Sequence, residues 1–309
     1  MGRREAGAVS GRLLFATPKA FVRRHLVARL PGAHLDSPLR GRTVLVTGAS
    51  SGIGEATAIA VAERGAVPIL VARRAEELSR VVAQIEAAGG SAFGYACDLT
   101  DGPAVDRLVE RVLREHGGVD MLVNNAGRSI RRSLELSYDR IHDFERTMAI
   151  NYFAPVRLVL GLLPHMVEQR SGHVVNIVTW GVQVKAPKFA AYIASKTALD
   201  TFSRIAGRET YGAGVTFTNL RLSLVRTEMI GPTDVYRRAP ALTPVQAAAR
   251  VVRALEDRPV TVNTLAGSIA EILNLVAPRF SDMVSHVTAK RFPDSPAAAR
   301  HVGTERSAG

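Results

Sequence analysis

The sequence predicts a doubly wound α/β domain, in which helices cover both faces of a parallel sheet. From Arg42 onward, short apolar segments alternate with amphipathic helical patterns. The apolar segments show little polar alternation, which is typical of strands that are buried on both faces. A glycine-rich turn joins the first of these strands to the first helix. In such a fold, ligands lie at the carboxyl ends of the strands, where the strand order reverses.

Six strands are predicted from apolar runs that begin and end at turn residues. The longest helical region, residues 143–170, is expected to be interrupted near Pro155. A later helix begins at Thr243 and Pro244, an N-cap residue followed by a first-turn proline. The predicted strands are residues 43–47, 68–72, 93–98, 119–126, 173–179 and 215–222, and the other predicted helices are residues 54–65, 75–89, 103–117 and 191–210.

The chain has 309 residues, of which 47% are hydrophobic and 22% charged. That length suits one large domain or two small ones. We expect a single domain at residues 41–293 that includes a helical C-terminal region, a basic N-terminal extension at residues 1–40 and a flexible tail at 294–309. Within the C-terminal region, apolar residues recur with helical spacing from Ile269 to Val287, with a break at Pro278. This face forms either core or the subunit contact of a homo-oligomer, or else an apolar rim for a long-chain substrate or a membrane.

The formal net charge is +12, with much of the excess at the ends of the chain. Such a balance suits nucleic acid, anionic lipid or an anionic ligand. Zinc-ligand spacings, RNP-like motifs and helix-turn-helix patterns are absent from the sequence, so neither a metal nor nucleic acid is predicted. The N-terminal extension places Arg23, Arg24 and Arg29 among apolar residues. It is either a peripheral contact with an anionic membrane or a strap packed on the protein or a neighbouring subunit. The single cysteine, Cys97, suits the reducing cytoplasm.

The turn TGASSGIG, residues 47–54, follows the first strand and opens the first helix. Its three glycines let the backbone turn tightly and approach a pyrophosphate, and the helix N-terminus supplies unpaired N–H groups. This context predicts a dinucleotide site. The cofactor-binding residues predicted in the turn are Gly48, Ser50, Ser51, Gly52, Ile53 and Gly54.

The end of the second strand predicts which dinucleotide binds. An acidic residue at this point usually holds the adenosine ribose hydroxyl of NAD. Here the chain carries Arg73 and Arg74 instead. Arginines bind a 2′-phosphate through charge-assisted bonds. The predicted cofactor is therefore NADP(H).

Tyr192 and Lys196 lie four residues apart, so on a helix they share one face. A phenol has a pKa near 10, which makes tyrosine a poor acid–base group at neutral pH unless its surroundings change that value. The positive charge of Lys196 is expected to lower the pKa of Tyr192. The same ammonium can reach the nicotinamide ribose. The pair is therefore predicted to be catalytic and to contact the cofactor, with Tyr192 also in contact with the substrate.

The motifs TGASSGIG, CDLT at 97–100, NNAG at 124–127 and YIASK at 192–196 together resemble those of the short-chain dehydrogenase/reductase family, over residues 42–257. The resemblance implies a single-domain Rossmann fold and hydride transfer to or from a carbonyl or alcohol carbon. It implies that Tyr192 exchanges the proton with support from Lys196, that Asn151 holds a water of the proton relay, and that the Thr179 hydroxyl orients the substrate oxygen. It further implies cofactor contacts at Asp98, Leu99, Asn125, Ala126, Gly127, Val225 and Thr227.

Two positions depart from the family pattern. Position 179 is usually serine. Thr179 adds a methyl that narrows the site, and its hydroxyl can serve only if the rotamer points inward. The Pro-Gly that usually follows the sixth strand is replaced by Leu222 and Ser223, so the shape of that loop is harder to predict than its contacts. Trp180 is expected either to wall the substrate pocket or simply to pack.

A narrower resemblance concerns the substrate. LVRTEMIGPTDVYRRAPALTPVQAAARVVRAL at residues 224–255 and RFPDSPAA at 291–298 are similar to segments of bacterial fatty acyl-CoA reductases. This implies a small, lipid-like substrate, namely an aldehyde, a ketone or an acyl thioester. Two alternatives stay open. One is a hydroxysteroid-like or general carbonyl reductase, and the other is a non-catalytic protein that senses NADP(H) or binds a membrane.

Overall fold

The computed structural model describes residues 36–227, 240–292 and 294. Within these residues one seven-stranded parallel sheet forms the centre of the fold. Its strands are β1 Thr43–Thr47, β2 Val67–Ala72, β3 Phe93–Ala96, β4 Met121–Asn124, β5 Gly172–Thr179, β6 Val215–Leu222 and β7 Thr261–Val262. Their spatial order is β3-β2-β1-β4-β5-β6-β7.

The doubly wound parallel sheet predicted from the sequence is confirmed. The structure contains all six predicted strands, with β3 and β4 shorter than expected. The seventh strand, β7, was not predicted, because its two residues are too few to show a pattern. The strand order reverses at β1, which pairs with β2 on one side and β4 on the other. The carboxyl ends of β1 and β4 therefore flank the crevice where ligands bind in folds of this type.

Helices cover both faces of the sheet, and local signals define several of their ends. A capping box formed by Thr243 and Gln246 begins the helix that starts at Pro244. The first helix begins two residues earlier than predicted, so Gly52 and Gly54 lie within its first turn. The helices are α1 Gly52–Ala62, α2 Ala75–Ala87, α3 Gly102–His116, α4 Ile141–Met148, α5 Ala154–Glu168, α6 Ala190–Glu209, α7 Pro244–Asp257, α8 Leu265–Val276 and α9 Pro278–Lys290.

Alternate residues of each strand enter two different cores, because successive side chains of a strand point to opposite faces. In β1, Val44 and Val46 pack on the face covered by α1, α2 and α7, whereas Leu45 packs on the face covered by α3 and α5. All three side chains are fully buried. Burial on both faces explains why the strands read as apolar runs in the sequence.

The long helical region is one continuous helix, Ile141–Glu168, in which a π-helical turn at Ala149–Phe153 joins α4 to α5. Pro155 lies in the first turn of α5. Proline has no backbone N–H to donate along the helix, and the wider turn accommodates that loss. The predicted interruption is thus a π turn. By length and composition this helix is the one span within the described ranges that could cross a membrane, but Leu158 and Leu162 on its inner side are buried in the core.

The C-terminal helices α8 and α9 meet at Pro278, as predicted. Most of their apolar side chains are exposed, so the interpretation of this face as protein core is wrong. Contact with another subunit, with a long-chain substrate or with a membrane stays a prediction. The exposed apolar residues are Leu265, Ile269, Ile272, Leu275, Val276, Phe280, Met283, Val284 and Val287.

The two ends of the chain fall largely outside the described residues. These include residues 1–35, which carry the predicted membrane segment with Arg23, Arg24 and Arg29, and residues 295–309 of the predicted tail. At the start of the described chain, Leu39 is fully buried in the core on the α1 side.

Candidate active site

The glycine-rich turn connects the carboxyl end of β1 to the N-terminus of α1. Gly48 and Gly52 have φ angles of +66° and +59°, in the left-handed region that favours glycine. A Cβ on Gly54 would lie 2.2 Å from the carbonyl oxygen of Gly48, so only glycine fits there. Ser51, the N-cap residue of α1, makes no side-chain capping bond, which leaves the first helix amides available to an anion. This cradle fits the pyrophosphate of a dinucleotide.

The hydroxyl of Thr47 holds the turn against the loop that follows β4. It accepts hydrogen bonds from the backbone N–H groups of Asn125, at 2.9 Å, and Ala126, at 3.0 Å. It donates to the carbonyl of Val123 at 3.2 Å. The side-chain amide of Asn125 donates to the carbonyl of Thr47 at 2.9 Å. Sequence reasoning missed Thr47 because threonine is common in strands; its position directly before the glycine-rich turn was the available signal.

Basic groups lie at the carboxyl edge of β2, as the sequence predicts. Arg73 and Arg74 are both exposed, and the guanidinium of Arg74 donates to the hydroxyl of Ser50 at 3.3 Å. Asp98, which follows β3, accepts hydrogen bonds from the backbone N–H and the hydroxyl of Thr100 at 2.9 and 2.7 Å. These bonds lower the pKa of Asp98, and the charge of Arg73 acts in the same direction.

Asn151 lies in the π turn and is fully buried. Its amide nitrogen donates to the carbonyl of Arg128 at 2.8 Å and to the hydroxyl of Ser195 at 2.9 Å. Its amide oxygen accepts from the N–H of Arg128 at 2.9 Å. A Cβ on Gly127 would lie 2.8 Å from that oxygen. Asn151 therefore joins the loop after β4 to α6 and requires glycine at position 127.

Thr179 ends β5, and Tyr192 lies in the first turn of α6. The Thr179 oxygen accepts a hydrogen bond from the N–H of Gly181 at 3.1 Å, and its hydroxyl forms a side-chain hydrogen bond with Tyr192. These contacts hold the Thr179 hydroxyl beside Tyr192. The added methyl lies beside Gly181, where a Cβ would be 3.3 Å away. The absence of a side chain at Gly181 therefore provides the space that threonine needs.

Lys196 lies one helical turn after Tyr192 and is buried, and its ammonium donates to the carbonyl of Ile177 at 2.9 Å. Burial lowers the pKa of Lys196 to about 8. Burial also raises the pKa of Tyr192 to about 12, because it disfavours the phenolate, and the bond with Thr179 offsets only part of this effect. For the protein groups alone, burial therefore outweighs the lowering of the Tyr192 pKa that was expected from the charge of Lys196.

Three asparagines line up across the sheet beneath these residues. Asn124, Asn176 and Asn219 occupy paired positions of β4, β5 and β6 and are buried. Asn124 donates to Asn176 at 2.8 Å, and Asn176 donates to Asn219 at 3.5 Å. Asn219 in turn donates to the backbone carbonyl of Asp200 in α6 at 2.9 Å. This ladder, which sequence reasoning missed, connects three strands to the helix that carries Tyr192.

Val225 and Thr227 follow β6 at the same edge of the sheet. Val225 is buried and forms an isolated bridge with Leu242. The methyl of Thr227 faces the glycine-rich turn, since a Cβ on Gly52 would lie 3.2 Å from it. Residues 228–239, which belong to the predicted acyl-CoA reductase-like segment, lie outside the described residues.

The remaining predicted site residues differ in burial. Leu99 is buried in the core on the α3 side, and Ile53 is half-buried against the core on the α1 side. Trp180 is half-buried, and its backbone N–H donates to the carbonyl of Leu222 at 2.9 Å. The described residues contain no group of three or more His, Cys, Asp or Glu side chains that could hold a metal.

Comparison with known proteins places the chain in a family. The family model of short chain dehydrogenases matches residues 42–235. An oxidoreductase of Mycobacterium tuberculosis is 46% identical over 283 residues, which cover 91% of this chain and 83% of that protein. A fatty acyl-CoA reductase of Acinetobacter baylyi is 46% identical over 260 residues, which cover 84% and 88% of the two chains.

The solved structures agree with this placement. A metagenomic short-chain oxidoreductase in complex with NADP superposes with a TM-score of 0.64 at 31% identity, over 73% of this chain and 97% of that one. The two proteins therefore resemble each other in the arrangement of the sheet and helices as well as in sequence. The chain belongs to the short-chain dehydrogenase/reductase family of oxidoreductases.

Proposed function

We propose that the protein is an NADP(H)-dependent reductase of a carbonyl group in a lipid-like substrate. The observation that carries the proposal is the meeting of Thr179, Tyr192 and Lys196 at the carboxyl edge of the sheet. The two hydroxyls hydrogen-bond each other, so both can approach one substrate oxygen. The buried ammonium lies one helical turn from the phenol. Family membership makes the chain an oxidoreductase, and the roles of these groups follow from their chemistry.

Reduced nicotinamide, when bound, supplies the hydride. Thr179 donates a hydrogen bond to the substrate oxygen, and Tyr192 transfers its phenolic proton to that oxygen as negative charge develops. A phenol whose pKa is raised to about 12 keeps its proton at neutral pH until the substrate oxygen becomes basic. Lys196 stabilises the tyrosinate that remains. Asn151 has one free acceptor position on its amide oxygen, which suits a water of the proton relay.

The assignment of NADP(H) is supported by the charges beside the glycine-rich turn. The guanidinium of Arg74 lies over the turn through its contact with Ser50, and Arg73 is the adjacent exposed cation. A 2′-phosphate at this edge would meet two guanidinium groups in place of the usual carboxylate. The metagenomic relative was crystallised with NADP.

Replacing both Arg73 and Arg74 by alanine should weaken NADPH binding by roughly tenfold to a hundredfold for each guanidinium–phosphate hydrogen bond that is removed. NADH affinity should barely change, because NADH lacks the 2′-phosphate. Titration of each cofactor by calorimetry measures both dissociation constants. Arg80→Ala is a matched control, since Arg80 is an exposed arginine of α2 that pairs with Glu55 and Glu77. Equal weakening of NADH and NADPH would assign Arg73 and Arg74 a structural role instead.

Two observations support a lipid-like substrate. The Acinetobacter baylyi relative is a fatty acyl-CoA reductase. In addition, the exposed apolar helix α8 packs on the helical turn Gly181–Val184 that follows Thr179, where Asn274 donates to the carbonyl of Gln183 at 2.7 Å. An acyl chain that leaves the site along this side would meet apolar side chains. If the substrate is an acyl thioester, hydride adds to the carbonyl carbon, the carbon–sulfur bond breaks, and the thiol leaves with a proton to give an aldehyde.

A substrate panel with NADPH tests the proposal. Fatty aldehydes, acyl-CoAs, 3-oxoacyl thioesters and steroid ketones are compared by the rate of NADPH consumption. We expect kcat/KM for a long-chain substrate to exceed that of its short-chain homologue by about tenfold or more, because each buried methylene contributes roughly 0.8 kcal/mol. Preference for steroids or short ketones would favour the general carbonyl reductase. NADPH binding without turnover of any compound would favour the sensor.

A further inference from the structure

The last described residues of the chain lie against two loops that flank the candidate active site. The carbonyl oxygen of Phe292 accepts hydrogen bonds from the guanidinium of Arg131 and the ammonium of Lys188, both at 2.7 Å. The carboxylate of Asp294 accepts from the backbone N–H of Ser133 at 3.0 Å and lies 3.4 Å from the ammonium of Lys188. We call Phe292 and Asp294 the C-terminal clasp.

Both loops lead directly to catalytic groups. The loop after β4 contains Arg128, whose backbone holds Asn151 through two hydrogen bonds. The other segment ends at Phe189, the N-cap residue of α6, whose ring lies 6.3 Å from the ring of Tyr192. The two loops also touch each other, because the N–H of Arg132 donates to the carbonyl of Lys188 at 2.7 Å.

The positive charges at the clasp favour a carboxylate at position 294. Two cationic side chains, Arg131 and Lys188, converge on one carbonyl oxygen, and Asp294 supplies the negative charge beside them. The side chains of Lys188 and Asp294 are only 16% and 15% exposed, so water screens this pair less than a surface pair. Lys188 also has a φ of +71°, a backbone conformation that costs free energy unless side-chain contacts hold it.

We propose that the C-terminal clasp positions Tyr192, with Lys188 and Asp294 as positioning residues. By tying the segment before α6 to the loop after β4, the clasp fixes the distance between the tyrosine and the Asn151 side of the site. The effect on catalysis rests on the proposed reductase function, whereas the effect on the loops does not.

The test combines hydrogen exchange with kinetics on full-length Asp294→Ala, Lys188→Met and the double variant. We expect the amides of Arg132 and Ser133 to exchange about tenfold faster in Asp294→Ala. We also expect kcat to fall by about tenfold while NADPH affinity stays unchanged. The kcat of the double variant should be no lower than that of the less active single variant, because both substitutions break the same set of contacts. Asp294→Asn keeps an acceptor for Ser133 and should protect that amide more than Asp294→Ala does.

Asp282→Asn is the control, since Asp282 is exposed on α9 and should change neither readout. Unchanged exchange in residues 128–140 and 185–194 of Asp294→Ala would overturn the clasp, as would strictly additive losses in the double variant. Faster exchange in these loops of a protein that reduces no substrate would leave the clasp standing and overturn the proposed function instead.

Discussion

Tyr192→Phe should lower kcat by about 10²–10⁴-fold, because it removes the group that transfers the proton and leaves the ring in place. The phenolic hydroxyl is the only group that the substitution removes. The neighbouring side chains of Ser195 and Lys196 donate to the backbone carbonyls of Tyr192 and Ile177, which the substitution keeps. The fold and the dissociation constant for NADPH should therefore stay close to those of the parent protein. Steady-state kinetics and cofactor titration measure the two effects separately.

Tyr211→Phe is the matched control, since Tyr211 is an exposed tyrosine in a short turn after α6. It should leave kcat unchanged. If Tyr192→Phe retained most of its activity, the proton would have to come from another group, and Tyr192 would lose its proposed role.

Thr179→Val should lower kcat by roughly 10²–10³-fold, the range seen when one hydrogen-bond donor to a developing oxyanion is removed. Valine keeps the methyl beside Gly181 and nearly the same volume, so the packing of β5 is preserved. It loses the hydroxyl that bonds Tyr192, and it leaves the N–H of Gly181 without its acceptor. Single-turnover measurement with saturating NADPH reports the chemical step directly.

Thr179→Ser separates the hydroxyl from the methyl. It should stay active, because the hydroxyl remains and only the methyl beside Gly181 is removed. Thr201→Val, at an exposed position of α6, controls for the general effect of the exchange. Substantial turnover by Thr179→Val would remove the Thr179 hydroxyl from the mechanism.

The parts of the site that the sequence predicts are those that depend on short-range spacing. Tyr192 and Lys196 share a helix face because they are four residues apart, and the glycine-rich turn is contiguous in the chain. The sheet follows from the alternation of apolar strands with amphipathic helices. Helical spacing, a contiguous motif and the alternation of patterned segments are sufficient for these predictions.

The parts that the sequence does not predict depend on long-range contacts. Thr47, at the end of β1, bonds to residues 125 and 126, which follow the neighbouring strand β4. The clasp joins Asp294 to residue 133. The pKa of Tyr192 was predicted in the wrong direction because the burial of its phenol and the carbonyl that holds Lys196 are tertiary features. The four-residue spacing of Tyr192 and Lys196 contains no information about how deeply the two side chains are buried.

The asparagine ladder has a consequence for how the chain folds. Strands made of similar apolar residues can pair in several shifted alignments, and a shift of one position exchanges the two faces of a strand. Any shift of β5 against β4 would separate Asn124 from Asn176 and leave buried amides without partners, at a cost of about 1–3 kcal/mol for each. The ladder thus discriminates against misaligned sheets during assembly. It selects the alignment in which Asn124, the last residue of β4, lies level with Asn176, three residues before Thr179 ends β5.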